Sequence, residues 1–113
     1  MSITKDLVAA SATPMILSIL SSGSSYGYAI IKQVRALSGG DINWTDGMLY
    51  PVLHRLEKQQ LIESFWETSE SGRKRKYYHI KDTGQKALKE QQAQWKTVYS
   101  AMQKLWETNP CLT

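Results

Sequence analysis

The chain has 113 residues, of which 42% are hydrophobic and 21% are charged, so it is long enough for one domain with one small core. It lacks both an apolar run near the roughly 20 residues of a membrane span and the pattern of a signal peptide, which predicts a cytoplasmic protein without membrane contact. The net charge of +4 is compatible with a polyanionic partner, and the one cysteine, Cys111, excludes an internal disulfide and is expected to be an incidental thiol.

The first predicted helix covers residues 5–20, where apolar side chains recur at helical spacing. Pro14 lies inside this segment and leaves two interpretations open. Either Thr13 caps a helix that has Pro14 at its first position, or a longer helix runs on and bends at the proline. The Ser- and Gly-rich run at residues 21–24 ends the helix in both cases.

The next two predicted helices form a helix-turn-helix pair. The first of them covers residues 25–37, with Ser25 as its N-cap, and ends at the Gly-Gly sequence of residues 39–40. The second begins after Thr45, its predicted N-cap, and continues to about Gln60. Its buried stripe is expected to contain Leu49, Val52, Leu53 and Leu56. Two successive helices joined by a short glycine-containing turn are typical of a helix-turn-helix.

A β-hairpin, the wing, is predicted directly after the third helix. Its strands cover residues 61–67 and 76–80, and the turn-forming residues 68–72 separate them. A block of consecutive cations is placed at the tip of this hairpin, namely Arg73, Lys74, Arg75 and Lys76. Of the two tyrosines that follow, Tyr77 and Tyr78, one is expected to pack against the core and the other to lie on the opposite face.

A long helix is predicted from Asp82 to about Glu107, with Asp82 as N-cap and Gln85 completing a capping box. Its length of roughly 40 Å is too great for it to pack entirely against so small a body. Apolar residues recur along it in a heptad-like seam, which predicts pairing with a second copy of the chain. The predicted interface residues are Leu88, Trp95, Val98, Met102, Leu105 and Trp106.

These elements predict a mainly α fold with a small β-hairpin, that is, an α+β winged helix-turn-helix with a long C-terminal dimerisation helix. The winged helix-turn-helix would occupy residues 1–81 and bind DNA, and the dimerisation helix and tail would occupy residues 82–113.

The third helix and the wing are the predicted DNA-binding elements, because a helix fits the major groove of B-DNA and basic side chains bind phosphates. On or near the outer face of the third helix lie Thr45, Asp46, Gly47, Tyr50, His54 and Lys58. Arg55 and Lys58 are the expected phosphate contacts of this helix. The wing would add the cations Arg73, Lys74, Arg75 and Lys76. Single helix residues also have simpler interpretations. Arg55 and Lys58 could be solvated cations, Asp46 a helix-start residue, and His54 a surface or packed side chain.

Trp95 allows two interpretations, which are compatible with each other. In a symmetric dimer, its two copies could sandwich a flat aromatic or cationic compound. Alternatively, Trp95 buries its area in the dimer interface, as aromatic residues commonly do.

The sequence resembles the PadR family of transcriptional regulators over essentially its whole length. The matching segments are residues 46–57 (DGMLYPVLHRLE), Leu61 and Ile62, residues 72–78 (GRKRKYY) and residues 26–30 (YGYAI). The resemblance implies a dimer formed by the last helix with the first, and repression of nearby genes. It also implies that Pro51 is tolerated in a helix, where proline ordinarily costs about 3 kcal/mol. The sequence departs from the family pattern at Lys81-Asp82, where a threonine usually precedes the last helix, and Asp82 would take over the capping role.

A single helix after the wing is typical of the short subgroup, which is similar to multidrug-responsive repressors. In these, a tryptophan at the position of Trp95 stacks planar hydrophobic compounds in a pore between the subunits. The resemblance therefore implies a ligand-binding set of Trp95, Tyr99, Ser11 and Met15, the last two from the first helix.

The predicted function is that of a sequence-specific, homodimeric DNA-binding regulator, a repressor that a planar ligand could release. An enzyme is not expected, because the sequence has no glycine-rich phosphate loop, no metal-ligand spacing and no cofactor motif, and neither His54 nor His79 is paired with a nucleophile. Two alternatives remain: a winged-helix protein-interaction module without direct DNA binding, and a drug-binding sensor whose DNA role is secondary.

Overall fold

The computed structural model describes residues 3–108, which form four helices and a small three-stranded sheet. In chain order the elements are α1 (Lys5–Ser21), β1 (Ser25–Tyr26), α2 (Gly27–Leu37), α3 (Asp46–Lys58), β2 (Ile62–Thr68), β3 (Lys74–Ile80) and α4 (Asp82–Thr108). The predicted mainly α winged helix-turn-helix with a long C-terminal helix is confirmed. Cys111 lies outside the described residues, as does the rest of the predicted tail.

Helix α1 passes through Pro14, so the longer of the two predicted helices is the one present. Its N-cap is Thr4, whose hydroxyl accepts a hydrogen bond from the backbone N–H of Leu7 at 3.3 Å. The predicted start of α2 was wrong. Ser25 is not its N-cap, because residues 25–26 are extended and pair with β3, so the helix begins at Gly27.

The strand order is β1-β3-β2, with both neighbouring pairs antiparallel. The sequence placed the start of β3 too late: the strand begins at Lys74, which pairs with Thr68. Of the four consecutive cations, therefore, only Arg73 lies in the turn, and the other three belong to the strand. The turn is closed by hydrogen bonds from Ser69 N to Arg73 O at 2.8 Å and from Gly72 N to Ser69 O at 2.9 Å, with Gly72 at a φ of 81°.

The core lies where α1, α2, α3 and the sheet meet, and its fully buried side chains come from each of them. They include Ile16, Leu17, Ile30, Leu49, Leu53, Leu56, Ile62 and Tyr78. Trp44, in the segment between α2 and α3, is also buried at 5% exposure. Gly39 and Gly40 both have positive φ values, of 62° and 89°, in the turn that directs the chain from α2 into this segment.

Asp82 is not the N-cap of α4 that the sequence predicted, because the helix starts one residue too early for that. Asp82 is already the first helical residue, and the carbonyl of Lys81 accepts the backbone N–H of Gln85 at 2.9 Å. Gly84 in the first turn packs against Leu61, just before β2, and against Ile80 at the end of β3: a Cβ added there would lie 2.1 Å from the carbonyl oxygen of Leu61. The Thr83 hydroxyl donates to the carbonyl of Gln60, a non-glycine residue at a φ of 62°. The start of α4 is therefore fixed by the end of α3.

The molecule is elongated, because α4 projects beyond the body. Its radius of gyration is 16.4 Å, against about 13 Å for a compact chain of this length. Leu88, at 4% exposure, belongs to the core of the same chain, whereas Val98, Tyr99, Leu105 and Trp106 are each more than half exposed. None of the helices in residues 3–108 has the length and hydropathy that crossing a membrane would require.

Candidate nucleic-acid interface

Helix α3 has one buried side and one open side. As predicted, Thr45 caps it, its hydroxyl accepting the backbone N–H of Met48 at 3.3 Å. Leu49, Leu53 and Leu56 are fully buried, whereas Val52 is only partly buried. The exposed residues include those predicted to contact DNA, namely Thr45, Asp46, Gly47, Tyr50, His54, Arg55 and Lys58.

The exposed residues of α3 do not all face the same way. Gly47, His54 and Lys58 lie on the side opposite the buried leucines, at helical spacing. Arg55 lies towards α1, where its Nη2 donates to the Thr13 hydroxyl at 3.0 Å. Its guanidinium group therefore holds α3 to α1, which its predicted role as a phosphate contact did not anticipate.

Pro51 is exposed on the open side of α3, among the predicted DNA-contact residues. Because proline has no N–H, the carbonyl four residues earlier, that of Gly47, lacks its usual helical partner. The carbonyl without its i+4 partner therefore belongs to a residue of this face that has no Cβ.

The cations of the wing divide between its two faces. Lys74 and Lys76 share a face with Tyr78, which is buried against the core, whereas Arg75 lies on the other face with Tyr77. The ammonium of Lys76 lies 5.7 Å from the centre of the Tyr78 ring, and the guanidinium carbon of Arg75 lies 4.7 Å from that of Tyr26. The predicted division of Tyr77 and Tyr78 between the faces is confirmed, with Tyr78 the inward one.

A groove runs between the wing, α3 and the start of α2, and it combines cations with aromatic rings. The residues that line it are Tyr26, Gly27, Tyr28, Tyr50, Trp66 and the cations at positions 73–76. Of the aromatic members, the sequence predicted only Tyr50. The others were missed because they come from three separate elements, and only the register of β2 against β3 places Trp66 beside Lys76.

Tyr50 is held against the backbone of Gly27. A Cβ added at Gly27 would lie 2.6 Å from the Tyr50 hydroxyl oxygen, so only glycine leaves room for this ring position. Below them, the Tyr78 hydroxyl is buried with no hydrogen-bond partner among the described residues. Burial raises the pKa of Tyr78 from 10.0 to about 12, and the charges of Glu57 and Tyr50 add to the effect. This tyrosine is therefore a neutral core residue.

The predicted ligand-binding residues lie in two separate places within one chain. Met15 lines an apolar groove between α1 and the residues at and after the end of α2, together with Ile19, Leu37 and Ile42. Ser11 is on the same helix, and its hydroxyl donates to the carbonyl of Leu7 at 2.7 Å. Trp95 lines a shallow pocket on α4 with Gln94 and Val98, and Tyr99 accepts a hydrogen bond from Gln103 at 3.1 Å.

One of the residues predicted for the dimer interface is buried within its own chain instead. Leu88 is buried in the core of its own chain, because the first turns of α4 pack against the body, and it has almost no surface left for a partner. The remaining members lie farther along α4: Trp95 and Met102 are half-buried, and Val98, Leu105 and Trp106 are exposed.

Comparison with known proteins identifies the family. The model of the transcriptional regulator PadR-like family matches residues 16–90. The transcriptional regulator YqjI of Escherichia coli is 40% identical over 81 residues, which are 72% of this chain and 33% of the relative. This chain thus spans about a third of that relative's length.

Solved structures agree with this assignment. A transcriptional regulator from Clostridium thermocellum has a TM-score of 0.80 and 31% identity, over 88% of this chain and 97% of that one. A PadR family transcriptional regulator from Eggerthella lenta has a TM-score of 0.75 and 36% identity, over 92% of this chain and 88% of that one. The chain therefore belongs to the PadR-like family of DNA-binding transcriptional regulators.

Proposed function

We propose that this protein is a homodimeric repressor that binds operator DNA with α3 in the major groove and the wing on the adjoining backbone. The observation that most supports it is the groove in which Lys74, Lys76 and Tyr50 lie beside the open face of α3. Cations placed beside a helix that can enter the major groove suit a duplex, because they hold phosphates while the helix approaches the base edges.

The surface of α4 supports the dimer. Its exposed apolar residues form one stripe, which continues the face that is buried at Leu88. Side chains as large as Tyr99 and Trp106 are 52% and 58% exposed, and a second copy of the helix would bury them. Residues 82–113 would then be the dimerisation segment, and the apolar groove at Met15 a surface that the partner's α4 could contact.

A symmetric dimer suggests an operator with two inverted half-sites, one for each α3. Their centres would be separated by one or two helical turns of DNA, about 10 or 21 base pairs. Phosphate contacts from the wing would set the orientation, and the exposed side chains at the start of α3 would distinguish bases.

A planar ligand bound between the subunits would release the repressor from its DNA. Ser11 and Met15 lie on α1, and Trp95 and Tyr99 on α4; Met15 and Trp95 line pockets that are separate within one chain. A site that unites them needs both subunits, so a ligand there would act on the distance between the two copies of α3. It would lower DNA affinity only if it bound the released arrangement more tightly than the DNA-bound one.

The test is fluorescence anisotropy of a labelled duplex from the gene's own upstream region, titrated at several salt concentrations. We expect binding that weakens steeply with salt, because cations displace the counterions of the phosphates. The triple substitution Arg73→Ala, Lys74→Ala, Arg75→Ala should lower the affinity at least tenfold and reduce the salt dependence.

The matched control is Lys86→Ala and Lys89→Ala, which removes exposed cations from α4 instead of the wing. It should leave both the affinity and the salt dependence close to those of the natural protein. A folded dimer that binds neither the upstream duplex nor unrelated DNA at low salt would contradict the repressor and support the interaction module.

A further inference from the structure

Trp66 is an unusually exposed side chain for its size and position. It lies in β2 near the tip of the wing and is 67% exposed, although tryptophan is mostly well buried in folded proteins. It is not an isolated apolar residue on a polar surface, because Tyr28, itself 64% exposed, and Tyr50 line the same groove. An aromatic surface of this extent indicates a contact site.

The position of Trp66 on the wing is fixed by the strand register. It pairs with Lys76, and residues alternate between the faces of a strand, so Trp66 lies on the same face as Lys74 and Lys76. Ser64, two residues earlier on this face, donates to the Glu57 carboxylate of α3 at 2.8 Å. Trp66 therefore lies on the side of the wing that faces α3, just beyond the end of their contact.

The surroundings of Trp66 indicate the chemistry of its partner. Cations line the groove next to it, and Lys32 lies 5.4 Å from the centre of the Tyr28 ring on the opposite side. A partner that fills this groove must offer negative charges to the lysines and, directly beside them, an apolar surface to the ring. The DNA backbone has both, since each phosphate is flanked by the carbon skeleton of deoxyribose.

We propose that Trp66 packs against deoxyribose in the DNA strand whose phosphates are bound by Lys74 and Lys76. This inference rests on the proposed DNA-binding function and assigns to Trp66 a share of the affinity that does not depend on salt. Burial of an apolar ring against sugar releases no counterions, whereas each lysine–phosphate contact does. The contact involves no base and contributes to binding of any duplex.

The experiment compares Trp66→Ala with Lys76→Ala on two duplexes, one from the gene's upstream region and one of unrelated sequence. Affinity is measured by anisotropy at a series of salt concentrations. The unrelated duplex is measured only at the low salt concentrations of this series. Trp66→Ala should weaken binding about tenfold, to the upstream duplex at every salt concentration and to the unrelated duplex at the low concentrations. The slope of log K against log salt should stay unchanged, whereas Lys76→Ala, which removes one phosphate contact from each subunit of the dimer, should reduce its magnitude by about 1.8.

Two further variants control for folding and for position. Trp66→Phe keeps a ring and should retain most of the affinity, and His79→Gln changes an exposed residue on the reverse face of the wing and should have no effect. Thermal unfolding of each variant verifies that the wing is intact.

Wild-type affinity of Trp66→Ala at all salt concentrations would overturn the inference, as would a loss confined to low salt and accompanied by a reduced slope. If the natural protein bound neither duplex, the DNA-binding function itself would fail. That result is distinguishable, because it is read from the natural protein alone.

Discussion

Two surfaces of this molecule expose large hydrophobic side chains, and they differ in what surrounds those side chains. In the groove between the wing and α3, Tyr28 and Trp66 lie next to cations that come from the wing. On the outer half of α4, Val98, Tyr99 and Trp106 lie on one stripe that continues a buried face. The first pattern suits a partner that is charged and partly apolar, and the second suits another apolar helix.

Exposed apolar area alone therefore does not identify a partner. Both surfaces would gain from being covered, but only the groove has charges whose attraction salt would screen. Salt should therefore weaken binding at the groove and leave the association through α4 almost unchanged. Three substitutions test this division, beginning with the junction that connects the two regions.

Gly84→Ala should have the largest effect, because it separates α4 from the wing. The added Cβ would meet the Leu61 carbonyl oxygen at 2.1 Å and Ile80 Cγ1 at 2.6 Å, so backbone must move. We expect a loss of about 3 kcal/mol or more in the free energy of unfolding, measured by chemical denaturation.

Gly47→Ala is the matched control, since it makes the same change in another helix. Its Cβ would meet only the Thr45 hydroxyl oxygen, at 3.9 Å, and the higher helix propensity of alanine should stabilise the protein by up to about 1 kcal/mol. Equal denaturation midpoints for Gly84→Ala and the natural protein would show that α4 does not pack this closely against Leu61 and Ile80.

Val98→Glu should dissociate the proposed dimer without unfolding the chain. Val98 is 51% exposed in a single chain, so the charge is tolerated there, but a partner helix would bury it unpaired. We expect the dimer dissociation constant to rise about 100-fold, equivalent to about 2.7 kcal/mol, as measured by sedimentation. Lys96→Glu, on the opposite side of α4, should leave it unchanged. Dissociation of the natural dimer by moderate salt would contradict an apolar interface.

Tyr78→Phe should have the smallest effect, because this residue lies beneath the groove and contributes to neither surface. Its hydroxyl is buried without a partner among the described residues, so its removal should be neutral or slightly stabilising near pH 7. The pKa of Tyr78 is raised to about 12 in the folded state, so the folded protein retains this proton more strongly than the unfolded chain. The natural protein should therefore lose stability as the pH rises from about 10 to about 12, by an amount that Tyr78→Phe does not lose. Parallel stability curves for the two proteins across this range would refute the buried, neutral tyrosine.

Much of the fold followed from local patterns. The buried leucines of α3, its cap at Thr45 and the length of α4 could each be predicted within one element, because periodicity and capping depend on neighbours in the sequence. The errors occurred where pairing with another strand decided the local structure. Ser25 became a strand residue because Tyr78 pairs with it, and Lys74 did so because Thr68 pairs with it.

The candidate DNA-binding surface shows the same division. The basic block of the wing and the exposed residues of α3 are recognisable in the sequence, because their composition and helical spacing are local properties. Arg55 turned instead towards Thr13, because α1 packs beside α3 and offers a hydroxyl acceptor at 3.0 Å. Trp66 joined the surface through a strand register that its own segment does not specify.

The sequence by itself determined that the chain has a helix-turn-helix, a basic hairpin and a long amphipathic helix, since each depends on residues close together in the chain. Only the tertiary structure decided which side chains remain available. Leu88 has the same pattern as the residues farther along α4, but the body covers it and leaves Val98 and Trp106 exposed. Burial depends on which elements meet in space, and that meeting is set by contacts between segments far apart in the sequence.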